Sequence, residues 1–294
     1  MRIVVTGREG QVVRSLLERG VLAGHDVVPI GRPQLDLASD RSAVLAALKD
    51  TGPDVLVSAA AYTAVDKAES EPEAAFAVNR DGASAVAAAA RELDIPLIHI
   101  STDYVFDGAK AGAYVEDDLT GPTGTYGASK LAGEQSVSEE QPDSAILRTA
   151  WVYSPFGNNF VKTMLRLAGD RDEVGVVADQ RGNPTSALDI ADGVLAVAGK
   201  LAASSDDALR GVFHMTAEGE ASWAEFAQAI FDASAELGGP FATVKPITTA
   251  DFQTPAKRPE NSRLDSTKLF EAYGVRLPHW QQSVRQVVGR LLAA

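Results

Sequence analysis

The chain of 294 residues contains no cysteine. Disulfide bonds, thiolate metal ligands and a cysteine nucleophile are therefore all excluded, and a cytoplasmic location is compatible with this composition. No apolar run approaches the ~20 residues that a membrane-spanning helix needs, and the N-terminus enters the run Arg2 to Thr6 without a signal-like segment. We expect no association with a membrane.

Positive charge is also scarce. Lysine and arginine total 27 against 40 aspartate and glutamate residues, so the formal net charge is -13. Because nucleic-acid binders need a basic surface to neutralise phosphates, this balance argues against a nucleic-acid partner. An anionic small substrate would have to be met by local arginines.

Short apolar runs alternate with helical patterns over the first half of the chain. The predicted strands are residues 3–6, 26–30, 54–58, 96–101 and 145–149. Each run is nearly continuous, as expected of strands buried on both faces. The alternation predicts an α/β fold with a Rossmann-type, doubly wound parallel sheet, and residues 1–150 are expected to form an NAD(P)-binding domain.

The order of elements is looser beyond residue 150. Helices are predicted at 159–167, 187–201, 223–237 and 280–292, with short strands at 174–177, 212–215 and 241–246. Loops rich in glycine, proline and asparagine separate them. We expect residues 151–294 to form mainly a smaller α/β lobe that binds substrate, with some elements returning to the main sheet.

A glycine-containing turn follows the first strand and opens the first helix. Gly7 and Gly10 permit a tight turn, and the backbone there, including Gln11 and Val12, can approach a pyrophosphate at the positive end of the helix. Val13 stands where a third glycine is expected. Because that glycine serves packing between helix and strand, its replacement bears on packing more than on cofactor binding.

The end of the second strand indicates which cofactor is preferred. An acidic residue at this position would bind the ribose diol of NAD, but the sequence has Ile30-Gly31-Arg32 instead. Arg32, with Arg8, could bind a 2′-phosphate, so NADPH is predicted over NADH. Other expected cofactor contacts are Asp36 and Leu37 near the adenine and Ala59, Ala60, Ala61 and Thr63 after the third strand.

Tyr126 and Lys130 are the predicted centre of the chemistry. Four residues apart on a helix, they share one face, and a fixed ammonium group is expected to lower the pKa of the phenol towards neutral pH. Thr102 follows the fourth strand at the edge where ligands bind in open α/β sheets, so it could hydrogen-bond a substrate oxygen beside Tyr126.

Motifs spread over nearly the whole chain carry a family resemblance. They are Gly7-x-x-Gly10-Gln11, residues 59–69, residues 101–106, Tyr126-Gly127-x-Ser129-Lys130-x-x-Gly133-Glu134, Arg148-Thr149-x-Trp151-Val152-Tyr153, Gly157-Asn158-Asn159-Phe160, Asp179-Gln180-x-Gly182-x-Pro184-Thr185 and Arg258-Pro259-x-Asn261-Ser262-Arg263-Leu264. Together they resemble the extended short-chain dehydrogenase/reductase superfamily and, within it, the dTDP-4-dehydrorhamnose reductase family.

The resemblance implies roles for particular residues. Tyr126 would donate the proton, and Lys130 would adjust the pKa of Tyr126 and hold the nicotinamide ribose. Thr102 would orient the keto oxygen, and Asp103 would help set substrate position or acidity. Substrate contacts would come from Trp151 against the sugar or nucleotide, from Asn158, Asn159 and Lys162 at a helix N-terminus, and from the guanidinium groups of Arg258 and Arg263.

The implied reaction is hydride transfer from NADPH, with NADH possible, to C4 of dTDP-4-dehydro-β-L-rhamnose. Two alternatives stay open: an epimerase or dehydratase that retains NAD, and a non-catalytic regulatory subunit of the same fold, against which intact Thr102, Tyr126 and Lys130 argue. The nucleobase, the face of reduction and the choice between monomer and homodimer are also open. So is a requirement for Mg²⁺, since Asp189 and Asp192 share a predicted helix but Ser15 would add no strong ligand.

Overall fold

Strands and helices alternate over the first 60 residues, and several short strands follow one another directly in the second half of the chain. A computed structural model describes residues 1–293. In chain order its strands are β1 (Arg2–Thr6), β2 (Asp26–Ile30), β3 (Val55–Ser58), β4 (Leu97–Thr102), β5 (Ser144–Thr149), β6 (Val152–Tyr153), β7 (Glu173–Val177), β8 (Arg181–Gly182), β9 (Thr185–Ser186), β10 (Gly211–His214), β11 (Ala217–Glu218), β12 (Ala221–Ser222), β13 (Thr243–Ile247) and β14 (Leu277–His279). Its α-helices are α1 (Gln11–Leu22), α2 (Arg41–Lys49), α3 (Val65–Ala68), α4 (Pro72–Phe76), α5 (Ala83–Glu92), α6 (Thr125–Glu140), α7 (Phe160–Asp170), α8 (Ala187–Ala203), α9 (Trp223–Glu236), α10 (Thr267–Tyr273) and α11 (Trp280–Leu292).

Six parallel strands form the central sheet in the order β2-β1-β3-β4-β5-β10. The predicted parallel, doubly wound sheet is confirmed, and all five predicted early strands lie within one residue of their observed bounds. Because β2 and β3 lie on opposite sides of β1, the order reverses between β1 and β3. Ligands of open α/β sheets bind at such a switch point, outside the carboxyl ends of the strands.

Helices cover both faces of the sheet, because successive side chains of each buried strand point to opposite faces. Ile3 and Val5 pack towards α1 and α8, whereas Val4 packs towards α2, α5 and α6. The alanine-rich helix α5 is buried along most of its length. Its small side chains allow neighbouring helices to approach closely.

The second half of the chain forms its own core but also completes the sheet. Helices α7, α9 and α11 pack with the parallel pair β7 and β13 around Phe226, Ile230 and Trp280. Strand β10 returns to the main sheet beside β5. The six strands of two or three residues were not predicted, since such short segments carry no periodic signal. Among residues 1–293, no helix combines the length and the apolar character needed to cross a membrane.

Candidate active site

The first turn forms a narrow backbone cradle at the switch point. Gly7 has φ +102°, and a Cβ there would lie 3.2 Å from Cγ2 of Val13 and 3.5 Å from Cβ of Ala60. A Cβ on Gly31 would lie 3.3 Å from the carbonyl carbon of Gly7. Val13 is buried in the core between α1, α8 and the sheet, so a valine side chain packs where the third glycine is expected. A dinucleotide backbone fits such a cradle, because α1 begins there and no side chain among residues 1–293 caps its N-terminal N–H groups.

The side chain of Gln11 ties this turn to the second half of the chain. Its Oε1 accepts hydrogen bonds from Ser154 Oγ at 2.8 Å and from Asn159 Nδ2 at 3.1 Å, and its Nε2 donates to the carbonyl of Val152 at 3.3 Å. Asn159 in turn caps α7 by accepting from the N–H of Lys162. Gln11 and Asn159 therefore use their side chains in this link, while Asn158 is exposed beside it.

The other predicted cofactor residues line the carboxyl ends of β2 and β3. Arg32 is exposed after β2, and Arg8 donates to Oε1 of Gln34 at 2.6 Å. Asp36 caps a local turn through Ala38, and Leu37 is buried. After β3, the N–H groups of Ala59 and Ala60 both donate to Thr6 Oγ1 at 3.0 Å, whereas Ala61 is half-buried and Thr63 exposed. Val12 packs, half-buried, against the sheet core.

Thr102, Asp103 and Tyr126 come together where β4 ends and α6 begins. Thr102 Oγ1 donates to Asp103 Oδ1 at 2.9 Å and lies close enough to Tyr126 to influence its pKa. The ring of Tyr104 packs edge-on against Tyr126, with centroids 5.6 Å apart. A hydroxyl, a carboxyl and a phenol from two separate segments thus share one corner, the buried corner, in which Thr102 and Asp103 are buried and Tyr126 is half-buried.

The predicted pKa of Tyr126 needs correction. Burial raises the pKa of Tyr126 to about 12, against the lowering influence of the Thr102 hydroxyl. The expectation of a pKa lowered by Lys130 was wrong, because the cost of removing the phenolate from water sets the direction of the shift and Lys130 does not contribute to it. Lys130 instead donates to the carbonyl oxygen of Ile100 at 2.7 Å, and its Nζ lies 3.3 Å from Nε2 of His99. Burial also lowers the pKa of Lys130 to about 8, opposed by the charge of Glu134.

Asp103 is a buried carboxyl group with one free oxygen. Burial raises the pKa of Asp103 to about 6, and the hydroxyls of Ser262 and Thr102 oppose this shift. Within residues 1–293, its Oδ2 has no hydrogen-bond partner. A carboxyl group with these properties can be protonated close to neutral pH and can bind a polar group of a ligand.

A cavity of about 920 Å³ lies in the second half of the chain. Its walls come from α7, the β7–β13 pair and the loop at residues 252–260, and include Trp223, Phe252 and Arg258. Arg258 pairs with Asp66 at 2.9 Å. Burial lowers the pKa of Arg258, but Asp66 and the neighbouring Tyr104 together raise it above its usual value. Since Tyr104 also packs on Tyr126, Arg258 connects the cavity to the buried corner.

Trp151 stacks on Trp223, which lines this cavity. The backbone of Trp151 has φ +44°, a conformation that residues other than glycine rarely adopt. Such backbone strain is often found at functional sites. Its ring stacks on Trp223 with centroids 3.6 Å apart, and Nε1 donates to Ser262 Oγ at 3.1 Å. Gly182 lies directly against the ring, where a Cβ would come within 2.4 Å of Cε2 of Trp151.

Arg263 does not line the cavity to which Arg258 belongs. Its guanidinium group pairs with Glu220 at 3.0 Å and also donates to Asn261 and to the carbonyl of Ala111. It lines a separate cavity of about 300 Å³, so the two predicted arginines are not brought to one phosphate position. Lys162 is half-buried on the first turn of α7.

The two acidic residues of α8 considered as metal ligands have other partners. Asp192 accepts two hydrogen bonds of 2.6 Å from Arg19, and Asp189 accepts one of 2.5 Å from Ser283. No cluster of three or more metal-binding side chains occurs within residues 1–293.

Comparison with known proteins identifies the family. A family model described as the RmlD substrate binding domain matches residues 1–293. The chain belongs to the RmlD family. A dTDP-4-dehydrorhamnose reductase of Sinorhizobium fredii is 52% identical over 292 residues, which cover 99% of this chain and 98% of the relative.

Two solved structures resemble this RmlD-family chain along almost its whole length. A dTDP-4-dehydrorhamnose reductase of Clostridium acetobutylicum superposes with a TM-score of 0.92 at 37% identity, covering 100% of both chains. The reductase of Bacillus anthracis, solved in complex with NADP, gives a TM-score of 0.89 at 36% identity and covers 97% of this chain and 98% of its own. Agreement over the full chain supports the resemblance drawn from the scattered motifs.

Several residues of the site in this RmlD-family chain were not predicted from the sequence. Tyr104 and His99 lie beside Tyr126 and Lys130, and Trp223 stacks on Trp151. Tyr104 follows Thr102 and Asp103 directly, so its place next to the strand end was a usable signal. Trp223 and His99 gave none, because their positions depend on contacts between elements distant in sequence.

Proposed function

We propose that this chain is an NADPH-dependent reductase that converts dTDP-4-dehydro-β-L-rhamnose to dTDP-β-L-rhamnose. The observation that carries the proposal is the buried corner formed by Thr102, Asp103 and Tyr126, with Lys130 one turn further along α6, in a chain that matches named reductases end to end. A pure binding protein has no need for a half-buried phenol against a buried carboxyl group, one helical turn from a buried ammonium group.

The cofactor site is assigned to the cradle at the switch point. Gly7, Ala60 and Gly31 leave room for the dinucleotide backbone, and the N-terminus of α1 would bind its pyrophosphate. When bound, NADPH supplies the hydride that reduces C4 of the sugar. Arg32 is exposed at the end of β2 and would bind a 2′-phosphate, which supports NADPH as the preferred cofactor.

Proton transfer is assigned to Tyr126. As C4 accepts the hydride, its oxygen gains negative charge, and the phenol O–H transfers its proton to that oxygen to give the C4 hydroxyl. The high pKa of Tyr126 keeps the phenol protonated before the reaction. Thr102 would orient the keto oxygen, and Lys130 would stabilise the phenolate left behind.

The cavity of about 920 Å³ is assigned to the nucleotide part of the substrate. Arg258 stands between this cavity and Tyr104, where its guanidinium group can bind a diphosphate once its contact with Asp66 is exchanged. Trp151 and Trp223 form an aromatic wall nearby, suited to excluding water from the sugar. Asn158, Asn159, Lys162 and Arg263 remain predicted substrate contacts, although Arg263 lines a different cavity.

Product analysis tests this function. The protein is incubated with dTDP-4-dehydro-β-L-rhamnose and either NADPH or NADH, and the sugar is identified by NMR. We expect the rhamnose product, formed with a higher kcat/KM for NADPH. Stoichiometric NAD bound to the purified protein, with no net reduction, would favour the epimerase or dehydratase alternative, and no turnover of any kind would favour the regulatory subunit.

A further inference from the structure

His99 is a buried histidine on β4 to which the proposed reaction gives no role. We propose that His99 is a positioning residue, which accepts a hydrogen bond from Lys130 and so fixes the direction of its ammonium group. The inference rests on the proposed function, in which Lys130 acts on the cofactor ribose and on Tyr126.

The geometry places His99 and Lys130 in one buried layer. His99 and Ser101 are two residues apart on β4 and therefore point to the same face of the sheet. Helix α6 covers that face: Ser101 donates to Glu134 at 2.5 Å, and Lys130 Nζ lies 3.3 Å from Nε2 of His99. Both His99 and Lys130 are almost completely buried.

His99 provides one of two acceptors for the ammonium group of Lys130. An ammonium group has three N–H donors and no acceptor. The carbonyl oxygen of Ile100 takes one donor at 2.7 Å, and Nε2 of His99 takes a second. With two donors fixed, the direction of the third is determined. This third donor is the one left for the cofactor and for the phenol.

The charge of the site explains why the acceptor is a neutral imidazole. Burial, together with the charge of Lys130, holds the pKa of His99 well below its usual range. This favours the neutral form of His99, in which one ring nitrogen can accept a hydrogen bond. The next charged groups are Glu134 on the same helix and Arg148 on β5, and these two are paired with each other at 2.8 Å.

An alternative role for His99 is a proton relay, in which the ring passes a proton on from Lys130. The second ring nitrogen, Nδ1, separates this role from positioning. Within residues 1–293, Nδ1 has no hydrogen-bond partner, and neither has Oγ of Ser58, which is paired in register with His99 on β3. Because Nε2 accepts from Lys130, Nδ1 must carry the ring hydrogen. A relay would have to continue from Nδ1 to Ser58, whereas positioning needs Nε2 alone.

Three variants test the proposal: His99→Leu, His99→Gln and Ser58→Ala. The leucine variant removes the acceptor, so we expect kcat/KM for NADPH to fall by about 10- to 100-fold, the range for a hydrogen bond to a charged group. The alkaline limb of its pH profile should also move to lower pH, because an ammonium group without its acceptor loses its proton more readily. The glutamine variant retains an acceptor oxygen and should recover most of the lost activity.

The Ser58→Ala variant is the control, since it alters a buried neighbour that does not contact Lys130. It should retain the wild-type pH profile. Loss of activity in Ser58→Ala equal to that in His99→Leu would overturn positioning in favour of a relay, and an unshifted alkaline limb in His99→Leu would overturn any role. NADPH affinity is measured separately by fluorescence. If the wild-type protein binds NADPH without reducing the sugar, the proposed function fails, while the ratio of NADPH Kd values between His99→Leu and wild type still decides the inference.

Discussion

Two glutamates of helix α6 each form an ion pair with an arginine from another element. The two pairs have similar hydrogen-bond geometry but differ in burial. Arg148 donates to Glu134 at 3.0 and 2.8 Å, and Arg41 donates to Glu140 at 2.8 and 2.7 Å. The side chains of the first pair are each 4% exposed, whereas Arg41 is 57% and Glu140 26% exposed. The same substitution in both pairs therefore compares a buried pair with an exposed one, although Glu134 also accepts a hydrogen bond from Ser101.

Glu134→Gln should strongly destabilise the protein. The amide leaves the guanidinium group of Arg148 buried without a countercharge, and breaking a buried ion pair in this way costs about 3–5 kcal/mol. That is a large part of the ~5–15 kcal/mol that usually separates folded from unfolded proteins. Glu140→Gln should cost only about 0–1 kcal/mol, because water screens an exposed pair.

Urea unfolding followed by circular dichroism measures both effects. The dependence of the free energy of unfolding on urea concentration should be unchanged. The urea concentration at the unfolding midpoint should fall steeply for Glu134→Gln and hardly at all for Glu140→Gln. Equal losses in the two variants would refute the reasoning that burial sets the strength of the pair. Activity provides a second readout: the charge of Glu134 raises the pKa of Lys130, so Glu134→Gln should move the alkaline limb of the pH profile to lower pH.

Three further predictions concern the site. Tyr126→Phe should lower kcat by about 10²- to 10⁴-fold, the usual contribution of a general acid, without changing the Kd for NADPH; near-normal turnover would remove Tyr126 from the mechanism. The raised pKa of Asp103 contributes a fall of about 3 kcal/mol to the wild-type free energy of unfolding as pH rises from about 4 to about 6, since the unfolded state loses this proton first; in urea titrations, the difference between wild type and Asp103→Asn should change by this amount over that range. Gly182→Ala should displace Trp151, lowering the free energy of unfolding by about 1–3 kcal/mol and weakening the near-ultraviolet circular dichroism, whereas Gly169→Ala, with open space around its Cβ, should do neither.

The sheet could be predicted from sequence because its signal is local. Strand β3 lies within one residue of its predicted bounds, since a strand buried on both faces is a continuous apolar run between turn residues. Helix starts are similarly encoded: Ser222 and Glu225 form a capping box that begins α9 at the predicted residue. The strand order around β1 was not encoded in this way, because it depends on which strands pair across long loops.

The site was predictable only as far as spacing along one element determines it. Tyr126 and Lys130 were found from helical periodicity, but the direction of the ammonium group depends on His99, which comes from another element. The lowered pKa of Tyr126 was wrongly predicted because burial is not visible in the sequence. Arg258 and Arg263 are five residues apart on a loop, and only the path of that loop separates them into two cavities.

The return of β10 to the central sheet limits how this chain can be divided. Gly211 to His214 pair with Ala145 to Arg148, so a fragment ending near residue 150 would expose the backbone N–H and C=O groups of β5 along a free edge. Exposed edges of this kind promote aggregation. The first half is therefore a poor candidate for expression alone or for exchange between relatives, and any functional chimera has to carry β10 together with the strand that it protects.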